Sequence, residues 1–120
     1  ALVTTGGFYV DGQQPYDTDG PQDLGDWSFR SIPKDIPRNR IKIAHLHYDL
    51  SGPNEDINCV FPLDRFVELE QEGVIGQLAD TNYSFMGFIQ RPDLLMSDTA
   101  PEVARRLKAD GVDVVFLTST

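Results

Sequence analysis

The 120 residues predict an α/β fold built on a mainly parallel sheet flanked by helices, and three observations carry that expectation. Short β-rich runs and longer segments follow one another as strand, loop, strand, helix, strand, helix, strand, the alternation typical of helical crossovers over a parallel sheet. Two segments, starting near Leu63 and Thr99, place apolar residues at helical spacing and stop at Gly73 and Gly111. The run Val-Asp-Val-Val-Phe-Leu-Thr at 112–118 is apolar on both alternating faces, as in a strand buried on both sides. Together these describe a Rossmann or flavodoxin-like arrangement over residues 1–120.

Taken in order, Ala1-Leu2-Val3-Thr4-Thr5 is a β-rich run that Gly6-Gly7 turns out of the sheet. Turn formers from Asp11 to Gly25 predict a long loop, and 26–32, around Trp27 and Phe29, an edge strand. Ile41-Lys42-Ile43-Ala44-His45 reads as the next central strand, emptying into the turn cluster Tyr48-Asp49-Leu50-Ser51-Gly52-Pro53. Pro62 pre-sets a helix whose apolar face is Leu63, Phe66, Val67 and Leu69. Residues 82–88 form a strand breaking at Gly87. Thr99-Ala100-Pro101-Glu102 has capping-box spacing ahead of Val103, Ala104 and Leu107.

Right-handed crossovers progressing one way along a sheet put both helices on one side, which would leave a face bare. The last strand has no helix after it, so the chain reads as an incomplete domain. Val112, Val114 and Phe116 on one side and Val115 and Leu117 on the other each need a cover: a second copy, a missing C-terminal half, or the 11–25 loop folding back.

Ten Lys and Arg against nineteen Asp and Glu leave a formal net charge of −9, so no basic face exists for nucleic acid. Apolar runs fall far short of the roughly 18 residues of a membrane span. The chain opens without Met and without the basic start of a secretory signal, which suggests trimming. A lone Cys59 excludes an internal disulfide framework and suits a reducing cytoplasm.

Ligands of open parallel sheets gather beyond the carboxyl ends of the strands. There the sequence places Thr5-Gly6-Gly7, then His45 through Asp49, then Gly87, and finally Thr118-Ser119-Thr120. His45, His47 and Asp49 at strand spacing resemble half a metal site, and would support a metal-dependent hydrolase; equally, they read as a polar strand end whose imidazoles make hydrogen bonds. No fourth ligand is evident, and no metal is expected. Cys59, just ahead of a helix start, reads either as a reactive thiol or as a small buried hydrophobe. Gly6-Gly7 offers backbone N–H groups to an anion, although neither G-x-G-x-x-G nor a P-loop Lys is present. Glu68, Glu70 and Glu72 read as a solvated helix face. Without a complete catalytic set, the chain also reads as a non-catalytic binding or interaction module.

Four stretches carry a more specific likeness: Ala1-Leu2-Val3-Thr4-Thr5 with its Gly turn; Gly25-Asp26-Trp27-Ser28-Phe29-Arg30; Asp56-Ile57-Asn58-Cys59-Val60-Phe61-Pro62-Leu63-Asp64-Arg65; and Gly111-Val112-Asp113 through Leu117-Thr118-Ser119-Thr120. In this order they resemble the selenoprotein subunits of the clostridial amino-acid reductases: the D-proline reductase selenoprotein, and selenoprotein B of the glycine, sarcosine and betaine reductases. The resemblance implies reductive cleavage of a C–N bond in a small amino acid or N-methylated derivative. A pyruvoyl group on a partner subunit activates the substrate and a selenolate attacks its α-carbon. It places the selenocysteine, or a replacing Cys, just after Thr120, so that this chain alone is expected to be inactive. A UGA codon read as a stop would end a selenoprotein here, which the coding sequence beyond Thr120 decides. The pocket it implies draws on Thr5, Gly6, Gly7, His45, Tyr48, Asp49, Asn58, Cys59, Gly87, Thr118, Ser119 and Thr120. Asp56-Ile57-Asn58-Cys59 favours the D-proline side, His47 stands where that subunit is expected to carry Gly, and the 13–24 insert is longer than its counterpart. Implied partners are the pyruvoyl-containing subunit, the C-terminal half and, as an alternative, a second copy of the chain.

Overall fold

Leu2, Val3 and Thr4, all buried, form the central strand β1 (Leu2–Thr4), and the fold is organised around it. The computed structural model describes residues 1–18 and 24–120; positions 19–23 of the expected 11–25 loop lie outside the described residues. Among the described residues, six strands and four α-helices follow the order β1, β2 (Phe8–Val10), β3 (Phe29–Pro33), β4 (Ile41–Ile43), α1 (Ser51–Glu55), α2 (Leu63–Gln71), β5 (Thr81–Phe85), α3 (Pro92–Leu94), α4 (Ala100–Ala109) and β6 (Phe116–Thr118). The main sheet runs β3-β5-β1-β6. β1 pairs in parallel with β5 and β6, whereas β3 lies antiparallel on β5 at the edge.

One expectation fails at β4. Ile41–Ile43 is not a central strand but pairs antiparallel with β2 in a separate two-stranded ribbon. The turn at Gly7, whose φ is +73°, returns the chain directly after β1, and Phe8-Tyr9-Val10 takes up the pairing that β4 would otherwise seek in the main sheet. Ile41 is buried with Phe8 and Val10 in the core beneath the ribbon.

The helices do not share one face. Leu2 packs with Phe8, Ile32, Phe61 and Leu63, joined by Phe66 and Val67 of α2; Val3 packs with Tyr83, Phe85 and, from α4, Val103 and Leu107. Since neighbouring residues of a strand point to opposite faces, the ribbon and α2 cover one face and α4 the other. The one-way premise is what breaks. The connection from β1 reaches β5 on one side, and the connection from β5 returns past β1 to β6 on the other, so right-handed crossovers fall on opposite faces.

α2 begins after Pro62, and Gly73 follows it at φ +70°. The predicted capping box at Thr99 is absent. Thr99 is itself helical, and its hydroxyl donates to the carbonyl of Trp27 at 2.6 Å; the helix is already under way from Pro92 through a π-helical turn at Leu95–Thr99. Glu102 is thereby free to pair with Arg105 and Arg106. Glu70 is likewise not simply solvated, since it faces the Lys34 ammonium at 3.4 Å.

The described part of the long loop is tied down. Buried Tyr16 donates its hydroxyl to the carbonyl of Ser84, and the Arg30 guanidinium lies 4.3 Å from its ring centroid while donating to the carbonyls of Gln14 and Pro15. The loop therefore folds back over β3 and β5, not over β6. β6 is correspondingly uncovered within this chain, with Val114, Val115, Phe116 and Leu117 exposed, so of the three expected covers the described part of the loop is not the one.

Candidate functional site

Reversal of the strand order about β1 creates a switch point, where the loops leaving the C-terminal ends of neighbouring strands part to opposite faces and open a crevice. Thr5 follows β1, Gly87 follows β5, and Thr118 ends β6. The Thr5 amide donates to the Thr118 carbonyl at 3.1 Å, and the Thr120 amide lies 3.4 Å from the Thr5 hydroxyl. A side chain at Gly87 would sit 3.1 Å from Nε2 of His45, 3.2 Å from the Thr5 carbonyl oxygen and 3.4 Å from the Thr120 hydroxyl. Thr5, His45, Gly87 and Thr120 thus meet, with His45 arriving from the ribbon and not from a central strand.

His45 is 4% exposed. The His47 amide donates toward its Nδ1 at 3.0 Å, and the Gly87 amide toward its Nε2 at 3.2 Å. A protonated ring carries N–H at both positions and would set donor against donor twice, whereas a neutral ring accepts at one of the two nitrogens, so this environment favours the neutral form. Burial, with a smaller contribution from His47, pushes its pKa below the ordinary histidine value. Beside it, the Tyr48 ring stands edge-on at 4.7 Å. The Tyr48 hydroxyl donates to the Gly6 carbonyl at 2.8 Å, and its pKa is pushed up to about 12, chiefly by burial and secondarily by the charge of nearby Cys59.

Gly6 and Gly7 are not an anion cradle. The Gly6 amide donates to the Thr4 hydroxyl at 3.1 Å and the Gly7 amide to the Phe85 carbonyl at 2.9 Å; both donors are consumed in fastening the turn to the sheet. The turn needs glycine for another reason, because a Cβ on Gly7 would lie 2.6 Å from the Ala44 carbonyl oxygen.

The metal half-site also dissolves. His47 turns outward and stacks on Phe88 with ring centroids 3.9 Å apart, while Asp49 accepts from the Ser51 amide at 2.9 Å, a bond that holds its carboxyl below the usual range. Among the described residues no group of three His, Cys, Asp or Glu is placed to hold a metal ion, and the hydrolase reading loses its ligand set. Asn58 is occupied at the start of α2, donating to the carboxylates of Asp56 and Asp64 and accepting from the Asp64 amide. Cys59 is an exposed free thiol, so its reading as a small buried hydrophobe is overturned. Ser119 and Thr120 are exposed, and the buried Thr118 hydroxyl has no hydrogen-bond partner.

Two contributors escaped the sequence reading. Thr4 receives the Gly6 amide, a role that its place one residue before a Thr-Gly-Gly turn could have suggested. Phe88 supports His47 across 41 residues, and no local pattern announces such a contact.

The whole chain, residues 1–120, matches the family model described as glycine/sarcosine/betaine reductase selenoprotein B. It is 40% identical over 119 residues to D-proline reductase subunit gamma of Acetoanaerobium sticklandii, covering 99% of this chain and 47% of that protein. It is 35% identical to glycine reductase complex component B subunit gamma of Carboxydothermus hydrogenoformans and 30% identical to betaine reductase complex component B subunit beta of Peptoclostridium acidaminophilum, covering all of this chain and 27% of each relative. The chain thus spans about half or less of the length of these relatives. No solved structure matches it. No helix among the described residues is long and apolar enough to cross a membrane.

Proposed function

Because the chain belongs to the glycine/sarcosine/betaine reductase selenoprotein B family, we propose that it is the scaffold portion of a reductase subunit acting at the crevice between β1, β5 and β6. The reaction is reductive cleavage of the C–N bond of a small amino acid or N-methylated derivative. The observation that carries this reading is the meeting of Thr5, His45, Gly87 and Thr120 at the switch point of the sheet, where α/β folds take their ligands.

The redox residue is a selenocysteine or cysteine that follows Thr120 in the full polypeptide, and a partner subunit carries the pyruvoyl group. A selenol or thiol of lowered pKa supplies an anionic nucleophile at neutral pH. The residues present suit such a group: the buried Thr118 hydroxyl lacks a partner, and the missing side chain of Gly87 lets the loop after β5 close onto Thr5 and Thr120, where a Cβ would be crowded. Neutral His45 joins the loop after β4 to the loop after β5, keeping both walls in place without adding a positive charge. Tyr48, protonated at all physiological pH values, fastens the Gly6 turn behind them. The higher identity to the D-proline reductase subunit and the Asp56–Cys59 stretch favour a D-proline-type substrate. The exposed thiol of Cys59 suits a reducing cytoplasm.

The test compares this chain with a version extended to the full length of its relatives. With a dithiol reductant, the chain alone is expected to turn over none of D-proline, glycine, sarcosine or betaine. The extended subunit with its pyruvoyl-containing partner is expected to reduce at least one of them, and replacing its selenocysteine or cysteine by Ala to abolish the reaction. Turnover by the short chain, or none by the extended subunit with its partner, overturns the reading.

A further inference from the structure

The loop that leaves β5, from Gly87 to Gln90, is gripped by two separate segments of the chain. One grip belongs to the crevice: the Gly87 amide points at Nε2 of His45, and the Phe88 ring stacks on His47. The other comes from Leu24 and Gly25. Gly25 forms an isolated antiparallel bridge with Ile89, and the Gln90 amide donates to the Leu24 carbonyl at 2.9 Å.

This second grip is very close. A Cβ on Gly25 would lie 1.9 Å from the Phe88 carbonyl oxygen, 2.8 Å from the carbon of that carbonyl and 3.2 Å from the Ile89 Cα. All three are backbone atoms, so no side chain can swing aside to make room, and the loop itself would have to move. Gly12 offers the contrast: both glycines have positive φ, +71° at Gly25 and +95° at Gly12, a region that strains any other residue, but nothing lies within 4 Å of a Cβ on Gly12.

The segment that bears Gly25 is anchored on its far side. The Asp26 carboxylate accepts from the Ser28 amide at 2.8 Å and the Asp17 amide at 3.0 Å, and faces the Arg30 guanidinium at 3.6 Å. The Trp27 carbonyl accepts from the Thr99 hydroxyl in the π-helical turn ahead of α4. At the crevice end the fit is tight as well, since a Cβ on Gly87 would be crowded by His45, Thr5 and Thr120. A push at Gly25 is therefore not absorbed by the segment that carries it.

We propose that Gly25 is a positioning residue for the crevice. Its bare α-carbon lets residues 24–25 hold the Gly87–Gln90 loop at the depth where Gly87 meets His45 and Phe88 meets His47. A side chain at Gly25 displaces that wall through the backbone of Phe88. The inference rests on the reading of the crevice as the reaction site, and adds that glycine at position 25 serves alignment there and not stability alone.

The test sets Gly25→Ala against Gly12→Ala, which carries left-handed strain without the clash. In the isotope-labelled chain, nuclear Overhauser contacts between the Gly87 amide and the His45 ring, and between the His47 and Phe88 rings, are expected to vanish in Gly25→Ala and persist in Gly12→Ala. In the extended subunit with its partner, Gly25→Ala is expected to lower kcat about a hundredfold, the scale of a misplacement of about 1 Å, with KM nearly unchanged. Gly12→Ala should leave both constants as they are. Should circular dichroism show Gly25→Ala unfolded, Gln90→Pro takes its place: it removes the bond to Leu24 at an exposed position, keeps Gly25, and is expected to lose the same two contacts. Contacts retained in the folded variant, or a kcat loss shared equally by Gly12→Ala, overturn the proposal. An unaltered extended subunit that reduces none of the substrates would overturn the functional reading instead, and the contacts in the short chain would still decide this one.

Discussion

The backbone N–H of Gly87 points at Nε2 of His45 across 3.2 Å, joining the loop after β5 to the loop after β4. The bond spans 42 residues and ties the ribbon to the main sheet at the mouth of the crevice. It depends on a ring nitrogen without a proton, so it links the local geometry to pH.

Stability is therefore expected to fall as pH drops below about 6.5. The folded-state pKa of His45 is depressed, so below the unfolded value of about 6.5 the unfolded chain binds a proton that the fold does not. The contribution is fully present above that pH and is lost on acidification toward the folded pKa. Urea unfolding between pH 7.5 and about 5 should show this slope, and His45→Phe should remove it. The variant should also be less stable at neutral pH by about 1–3 kcal/mol, since a part-buried amide facing the ring loses its acceptor. A slope unchanged in the variant would assign it to other groups.

Gly7→Ala and Gly73→Ala separate crowding from backbone strain. Both glycines have φ near +70°, but only Gly7 has a carbonyl oxygen 2.6 Å from the new methyl group, while nothing lies within 4 Å at Gly73. Gly73→Ala is expected to cost about 1–2 kcal/mol for the left-handed backbone alone, and Gly7→Ala clearly more, with shifted Ala44 and His45 resonances. Equal losses would show that the turn relaxes freely.

Tyr16→Phe removes a buried hydroxyl that donates to the Ser84 carbonyl. A loss of about 1–3 kcal/mol is expected, with faster hydrogen exchange in residues 11–18 and little change in α4. Burial holds the Tyr16 phenol well above the usual range, so no change in pH dependence near neutrality should accompany it.

Elemental analysis of the purified chain is expected to find no stoichiometric zinc, because His45 is enclosed by two amides, His47 leans on Phe88 and Asp49 serves Ser51. One zinc per chain, lost in His45→Ala and His47→Ala, would restore the metal-site reading.

The local signals were legible wherever one stretch of chain contains both cause and effect. Pro62, the apolar spacing through Val67, and Gly73 define α2 without reference to anything else. The edge position of the strand around Phe29 followed from its brevity and the turn formers before it. The grouping of Thr5, Gly87 and Thr120 needed only the ends of their strands and the rule that ligands gather there, not the order of the strands in the sheet.

Periodicity states that a side chain faces something, but not what it faces. Ile41 and Ile43 were rightly read as strand, yet only the return of Phe8-Tyr9-Val10 beside them decided that they leave the main sheet. Thr99 has the spacing of a cap, and a contact with Trp27, 72 residues away, overrides it. The sequence by itself thus determined α2, the stretches of β1, β4 and β5, and the family likeness, but not β2, α1 or α3. Tertiary structure alone decided that α2 and α4 cover opposite faces, that His45 is enclosed while His47 and Asp49 turn aside, and that the apolar strand β6 lies open at the edge. Those outcomes rest on pairings between distant segments, whose energies depend on which partner is in place and not on the residues of any one stretch.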